Sequence, residues 1–242
     1  MTRWQRGIGG GMRAAAMVAA ALAVALVAGS AAGGIIVVDD FNRPDDSYMG
    51  PDWIERFSDF RIENNEVRTL AGDTAQSPAL ATLVGFGAAD CALEVTARYE
   101  GPARPTYVAL VARYADNENC VFVKVQDNNE DGYYDLAWFY WGNNSLVPLV
   151  ADYWEYLDAF TDARLTLALA GETLVLTIDT DFDGSPEEVV TRYNIPDGGL
   201  GVGLGGYNDA ALDDFVALPE PATLALAAAG ACGLAARRRR SS

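Results

Sequence analysis

Two short segments carry the residue types and spacing of a cation-binding loop. Asp127-Asn128-Asn129-Glu130-Asp131-Gly132 continues through Tyr133-Tyr134-Asp135, and Asp179-Thr180-Asp181-Phe182-Asp183-Gly184 continues through Ser185-Pro186-Glu187-Glu188. Each places oxygen ligands at positions 1, 3 and 5, a glycine at 6 for the sharp turn and an acid at 9, which is the first part of a calcium loop. The candidate ligands are Asp179, Asp181, Asp183 and Glu187 in one segment, and Asp127, Asn129, Asp131 and Asp135 in the other. Position 12, where a bidentate glutamate is expected, is Val190 or Trp138, and no helical pattern flanks either segment. They are therefore not EF-hands. They read either as strand connections that borrow the ligand spacing or as ordinary turns, where Asp, Asn and Gly are common for backbone reasons alone. Calcium is the one cofactor suggested, held in the weak range of extracellular modules.

Aromatic residues cluster beside the first segment: Tyr133, Tyr134, Trp138, Phe139, Tyr140, Trp141, then Tyr153, Trp154 and Tyr156. On a strand, Trp138 and Tyr140 share one face while Phe139 and Trp141 share the other. Sugar rings stack on exposed aromatic faces, so Trp138, Tyr140, Trp141 and Trp154 are candidate ligand-binding residues. Asn143, Asn144, Asp152 and Glu155 could take hydroxyl groups. Core packing and sheet propensity explain the same cluster without a ligand. Catalysis has little support. The chain contains no histidine, which removes Ser-His-Asp, Cys-His and histidine-metal designs. A glycosidase needs two carboxylates about 5–9 Å apart across a cleft, and no Glu-x-Asp-x-x-Glu strand motif is present.

The elements that must position these residues are nearly all strands. Apolar runs recur between turn signals from Ile35 to Ala217, among them Cys91–Tyr99, Tyr107–Tyr114, Val121–Gln126, Asp135–Trp141, Leu146–Val150, Ala163–Leu169, Thr173–Ile178 and Leu200–Leu204. Leu165/Leu167/Leu169 and Leu174/Leu176/Ile178 alternate with smaller or polar residues, so each run buries one face. Asn64-Asn65 and Gly171-Glu172 each separate two runs and predict tight hairpins. The single helical expectation is one or two turns over Asp152–Phe160. Many strands around one core predict an all-β, two-sheet antiparallel sandwich.

Charge and cysteine narrow the setting. Residues 34–217 hold 33 acids against 10 bases, a net charge of −23, and Lys124 is the only lysine. Such a field repels nucleic acid and anionic lipid and attracts divalent cations. Cys91 and Cys120 invite a disulfide in an exported chain. If Cys91–Tyr99, Tyr107–Tyr114 and Cys120–Gln126 form a meander, the two cysteines flank its middle strand about 9–10 Å apart. That exceeds the roughly 7 Å a disulfide spans, so free thiols are the simpler expectation.

Both ends are apolar and flanked by arginine. Arg3, Arg6 and Arg13 precede an uncharged run over Ala14–Ala28 and the small residues Gly29-Ser30-Ala31-Ala32. That is the order of a secretory signal peptide over residues 1–32. At the other end, Pro219-Glu220-Pro221 forbids helix. The apolar run Ala222–Ala236 follows and Arg237, Arg238, Arg239 and Arg240 close it. As a helix the run is about 22 Å long, short for a hydrocarbon core of about 30 Å. It predicts a marginal transmembrane helix with the arginines on the cytoplasmic side.

Together, Pro219-Glu220-Pro221, the apolar run and the arginine cluster resemble the PEP-CTERM sorting signal of exosortase substrates. The resemblance implies export, transient membrane anchoring, recognition by an intramembrane exosortase, and removal of residues 218–242. The body resembles concanavalin-A-like, laminin-G-type jelly rolls in Asp39-Asp40-Phe41-Asn42-Arg43, in Phe60-Arg61-Ile62-Glu63-Asn64-Asn65, and in Gly201-Val202-Gly203-Leu204 with Asp213-Asp214-Phe215. That resemblance implies one domain over residues 34–217 whose first and last strands lie side by side, bringing Asp39/Asp40 near Asp213/Asp214. The functional expectation is an exported, non-catalytic protein of the cell surface or extracellular matrix with a structural or adhesive role. The alternatives are a carbohydrate-binding module acting on exopolysaccharide and, more remotely, a glycoside hydrolase. The expected partners are exosortase, the membrane before processing, and extracellular polysaccharide, with no nucleic acid.

Overall fold

The computed structural model describes residues 37–69, 79–100, 105–143 and 146–219. The signal-peptide and sorting-helix expectations fall outside these residues, as do Asn144, Glu220, Pro221 and Arg237 to Arg240. Among the described residues, no helix is long and apolar enough to cross a membrane.

Two antiparallel sheets face each other across one core. Sheet one runs in the order β14 (Glu188–Tyr193), β13 (Thr173–Asp179), β12 (Asp162–Ala170), β6 (Cys91–Arg98), β16 (Ala211–Pro219), β4 (Glu66–Thr69), β3 (Phe60–Glu63), and β1 (Val37–Asp39) also pairs with β16. Sheet two runs β10 (Val147–Pro148), β9 (Tyr134–Trp141), β8 (Asn119–Gln126), β7 (Tyr107–Asp116), β15 (Gly201–Tyr207), β5 (Ala79–Leu83), β2 (Trp53–Phe57), and β11 (Trp154–Phe160) also pairs with β9. The leucines of β12 and β13 point inward, as their alternation requires, and Leu165, Leu167, Leu169, Leu174, Leu176 and Ile178 all lie in the core. Asn64 and Asn65 join β3 to β4 with φ of 57° and 63°. Two left-handed residues in a row are the demand of a type I′ hairpin, and asparagine tolerates it better than most.

Two expectations are corrected. Asp152–Phe160 holds no helix: Trp154–Phe160 is β11, paired with β9 and bulged between Tyr156 and Phe160. Its buried residues, Leu157 and Phe160, are three apart because of that bulge, and this spacing imitates a helical face. Nor do β6, β7 and β8 form a meander. β7 and β8 pair in sheet two, while β6 crosses to sheet one. Cys91 and Cys120 are not bridged to each other and both are buried, Cys91 in the main core and Cys120 in a second cluster outside sheet two. Burial pushes the Cys120 thiol up to about 12.

The first and last strands do pair: Asp39 stands opposite Phe215. The acids there are dispersed by separate partners. Asp39 accepts both Nη groups of Arg43 (2.8 and 3.0 Å), the indole N–H of Trp53 (2.8 Å) and the backbone N–H of Phe41 (3.0 Å). Burial alone would raise its pKa, yet these donors hold it below the ordinary value. Asp213 pairs with Arg98, and Asp214 accepts from Thr96.

One buried cation closes an end of the sandwich. Arg113, 1 % exposed, lies at the β7 bulge with φ of 51°. It donates to the carbonyls of Ala89, Ile195, Pro196 and Gly171 and pairs with Asp90 at 3.0 Å. Gly198 and Gly199 pack so closely on the Arg113 and Tyr114 backbone that a Cβ would clash at 2.9 Å or less. Replacing Arg113 by Met strands these carbonyls without donors. Chemical denaturation should show a loss of about 1–3 kcal/mol for each carbonyl left buried without a donor.

Candidate functional site

The two acidic loops have the same backbone design at the same end of the molecule. Asp127 follows β8 and Asp179 ends β13. In each, the residue three positions on takes a left-handed conformation (Glu130, φ 63°; Phe182, φ 60°) and the glycine five positions on has positive φ (94° and 87°). That glycine N–H donates to the first aspartate, Gly132 to Asp127 at 2.9 Å and Gly184 to Asp179 at 3.0 Å. The acid eight positions on accepts the N–H after the first aspartate, Asn128 to Asp135 and Thr180 to Glu187.

They differ in what the first carboxylate still lacks. Asp127 Oδ1 accepts the N–H groups of Asn129, Glu130 and Asp131 (2.6–3.3 Å), and Oδ2 also accepts the Tyr99 hydroxyl at 2.9 Å. Its loop is closed on itself. Asp179 is equally buried, yet among the described residues its Oδ1 has no hydrogen-bond partner, and Oδ2 has only Gly184 and a distant Arg164 guanidinium at 3.8 Å. One oxygen each of Asp179, Asp181 and Glu187 lie within 4.8 Å of one another. Asp183 is outside that cluster and caps Ser185 instead. A buried carboxylate oxygen without a donor is costly. A hard, all-oxygen donor set of this kind fits calcium or magnesium, not a softer metal. Sequence spacing treats the loops alike; only the hydrogen bonds separate them.

Beside the Asp179 loop lies an open cleft of about 440 Å³ lined by Tyr133, Phe160, Asp158, Asp162, Thr180, Glu187 and Glu188. It bridges the two loops, since Tyr133 comes from the first and Glu187 from the second. Burial, and then the nearby charges of Asp158, Glu155 and Glu187, raise the Glu188 pKa against a hydrogen bond from the Asp158 backbone. Asp158, Asp162 and Glu188 were not singled out in sequence, because no motif links them; the β11–β12 corner brings them together.

The four aromatic candidates divide. Trp138 and Tyr140 stack on the outer face of sheet two, ring centroids 5.7 Å apart and 8° from parallel, with Tyr153 against both. Trp154 stands opposite Trp138 on β11 and is exposed, edge-on to an exposed Tyr156 at 5.1 Å. Trp141 belongs to the other face and packs against the main core. Of the hydroxyl-binding candidates, Asn143 is fully buried with no partner for its side-chain amide, and Glu155 is paired with Arg192. The outer aromatic face extends through Tyr107, Phe122, Leu80 and Tyr207. Opposite Ala109 and Leu80, β15 offers only Gly205, where a Cβ would stand 3.1 Å from the Phe122 ring. The glycine lets that ring lie across the strand.

No curated protein sequence matches the chain. Among solved structures it is similar to a xylan beta-1,4-xylosidase from Bacillus halodurans C-125 (17 % identity, 75 % of this chain and 38 % of that one, TM-score 0.50). It is also similar to the carbohydrate-binding module CBM66 from Bacillus subtilis (12 %, 72 % and 97 %, 0.49). A third is the VIP36 exoplasmic/lumenal domain in its Ca2+/Man3GlcNAc-bound form (11 %, 70 % and 84 %, 0.47). At such identities the likeness concerns the fold. Residues 217–240 match the PEP-CTERM protein-sorting motif. The chain therefore carries an export-and-sorting signal behind an all-β jelly-roll domain of two antiparallel sheets.

Proposed function

We propose that this protein is a non-catalytic component of the cell surface or extracellular matrix. It is delivered through its PEP-CTERM signal and processed by an exosortase, and its structural or adhesive role is to grip polysaccharide. The observation that carries this reading is the contrast between the two outer faces. Sheet one presents a charge ladder: Arg61–Glu63, Arg68–Glu66, Arg98–Glu66, Arg98–Asp213 and Arg164–Glu94. Sheet two carries aromatic rings, buried at Tyr107, Phe122 and Tyr140, partly exposed at Trp138 and exposed at Trp154 and Tyr156. Sugar rings bind to exposed aromatic surface, so Trp138, Trp154 and Tyr156 supply the platform.

Calcium belongs to the same reading, with Asp179, Asp181 and Glu187 as its holders. Bound there, it supplies the counter-charge that Asp179 Oδ1 lacks and stiffens the wall of the acidic cleft. A second reading has one specific support: Glu188, with its raised pKa among other carboxylates, has the character of the general acid of a glycoside hydrolase.

Three measurements test these statements. A glycan array of the wild-type chain should show retention that falls at least tenfold in Trp138→Ala; no retention on any polysaccharide would remove the binding reading. Calcium at roughly 10 mM should raise Tm by about 3–6 °C if the site binds near 1 mM. Asp181→Ala should abolish that rise and Asp131→Ala should keep it. A rise lost in Asp131→Ala instead would assign the cation to the wrong loop. Release of reducing ends from polysaccharide by wild type, and not by Glu188→Gln, would replace the non-catalytic reading with the hydrolase.

A further inference from the structure

The only lysine of this acidic chain lies on the aromatic face without an acid to pair with. Lys124 is the register partner of Trp138 and Ala109. Its Nζ is 4.9 Å from the ring centroid of Tyr107, 5.5 Å from Tyr140 and 5.6 Å from Trp138. No ion pair to Lys124 occurs among the described residues, although the chain has 34 acids. Ring faces attract a cation, but they cannot accept the three N–H bonds an ammonium offers. The neighbouring donor is also unanswered: Trp138 Nε1 is buried and has no hydrogen-bond partner. Lys124 is partly exposed and can be reached from outside, whereas Trp138 Nε1 lies beneath the surface. A carboxylate would answer the ammonium.

We propose that Lys124 Nζ recognises the carboxylate of an acidic sugar, so that the polysaccharide gripped by sheet two is a uronate-containing one. This rests on the polysaccharide-binding reading and adds the substrate class. The sugar ring lies against Trp138 and the exposed Trp154 beside it while its carboxylate takes the ammonium. The rest of the domain, with its net charge of −23 between residues 34 and 217, repels polyanions. The cations on this face are Lys124 and, over Tyr114, Arg56, and a neutral sugar would leave the ammonium unmet. Desolvation lowers the Lys124 pKa from 10.5 to about 8. The titratable groups facing it are Tyr107 from β7 and Tyr140 from β9, with Tyr153 behind Tyr140. Tyr140 is pushed up to about 12 by burial and by Tyr153, so it stays neutral where the lysine loses its proton. A uronate carboxylate is ionised throughout. The sign is then fixed: binding to the acidic polymer is full below pH 8 and falls as pH rises through the lysine pKa, which the bound anion itself moves upward.

The test compares alginate (a polyuronate), a sulfated glycan and neutral dextran or xylan, using the full chain at pH 7 and at pH 10. Wild type should bind alginate at pH 7, and Lys124→Met should bind it at least about tenfold more weakly, the scale of one charge-assisted hydrogen bond. Wild-type alginate binding should weaken between pH 7 and pH 10, a measurement independent of how the variant folds. Alginate binding that ignores both the substitution and the pH would overturn the proposal. So would equal dependence on Lys124 for the sulfated glycan alone. Retention on neutral polymer only would overturn it while leaving the polysaccharide-binding reading intact, and retention on nothing would remove both.

Discussion

The seat of β16 in the middle of sheet one is the constraint on which the rest of the molecule depends. This last strand pairs with β6 along most of its length, with β4 at one end and with β1 at the other. Its Phe215 packs edge-on against Trp53 at 5.1 Å, and Trp53 in turn donates to Asp39 of the first strand. Without β16, sheet one has no centre and Asp39 has no sheet to belong to. Pairings this distant in sequence form late, because loop closure must be met before they stabilise anything. The fold is therefore completed by the segment that also begins the sorting motif.

The same architecture sorts the chemistry of a heavily acidic chain. Charges that cross sheet one are answered by arginines on adjacent strands, so Glu66 lies between Arg68 and Arg98. Exposed pairs of this kind contribute little stability individually, but they offset repulsion where acids crowd. Sheet two has little charge on its outer face, where Lys124 is ringed by aromatics and Arg56 lies over Tyr114. A group of acids without arginine partners lines the loop end, around the Asp179 loop and the cleft. Each region has one unmet need: an acceptor at Lys124 and Trp138, a cation at Asp179.

The sandwich was legible in sequence because its signals are local. Alternating leucines in β12 and β13 and the Asn64-Asn65 turn each report a backbone preference that the tertiary structure keeps. The β11 segment was misread because a bulge turns a period of two into a spacing of three. The assumed meander failed for a different reason: nothing in β6, β7 and β8 says which of two sheets each strand joins. Arg113 gives no motif at all, since its partners are carbonyls on three separate segments. The two acidic loops show the limit most clearly. Their spacing is the same, and the difference at Asp127 lies in three backbone donors and the hydroxyl of Tyr99, a residue far along the chain. Trp141 was grouped with Trp138 by composition, although alternation already put them on opposite faces.

The register of β16 also gives the body a top and a bottom. Pro219 is still laddered to Cys91, and the sorting motif starts at residue 217, so no spacer separates the folded body from the tail that tethers it. At that pole lie the Gly171 turn and the Arg113 knot. The opposite pole, where Ala211 meets Arg98 and where Tyr99 reaches Asp127, carries both acidic loops. Nine strand residues put the poles about 30 Å apart. The segment that carries the sorting motif thus leaves the body at the glycine-and-arginine pole, and the cleft lies at the far one.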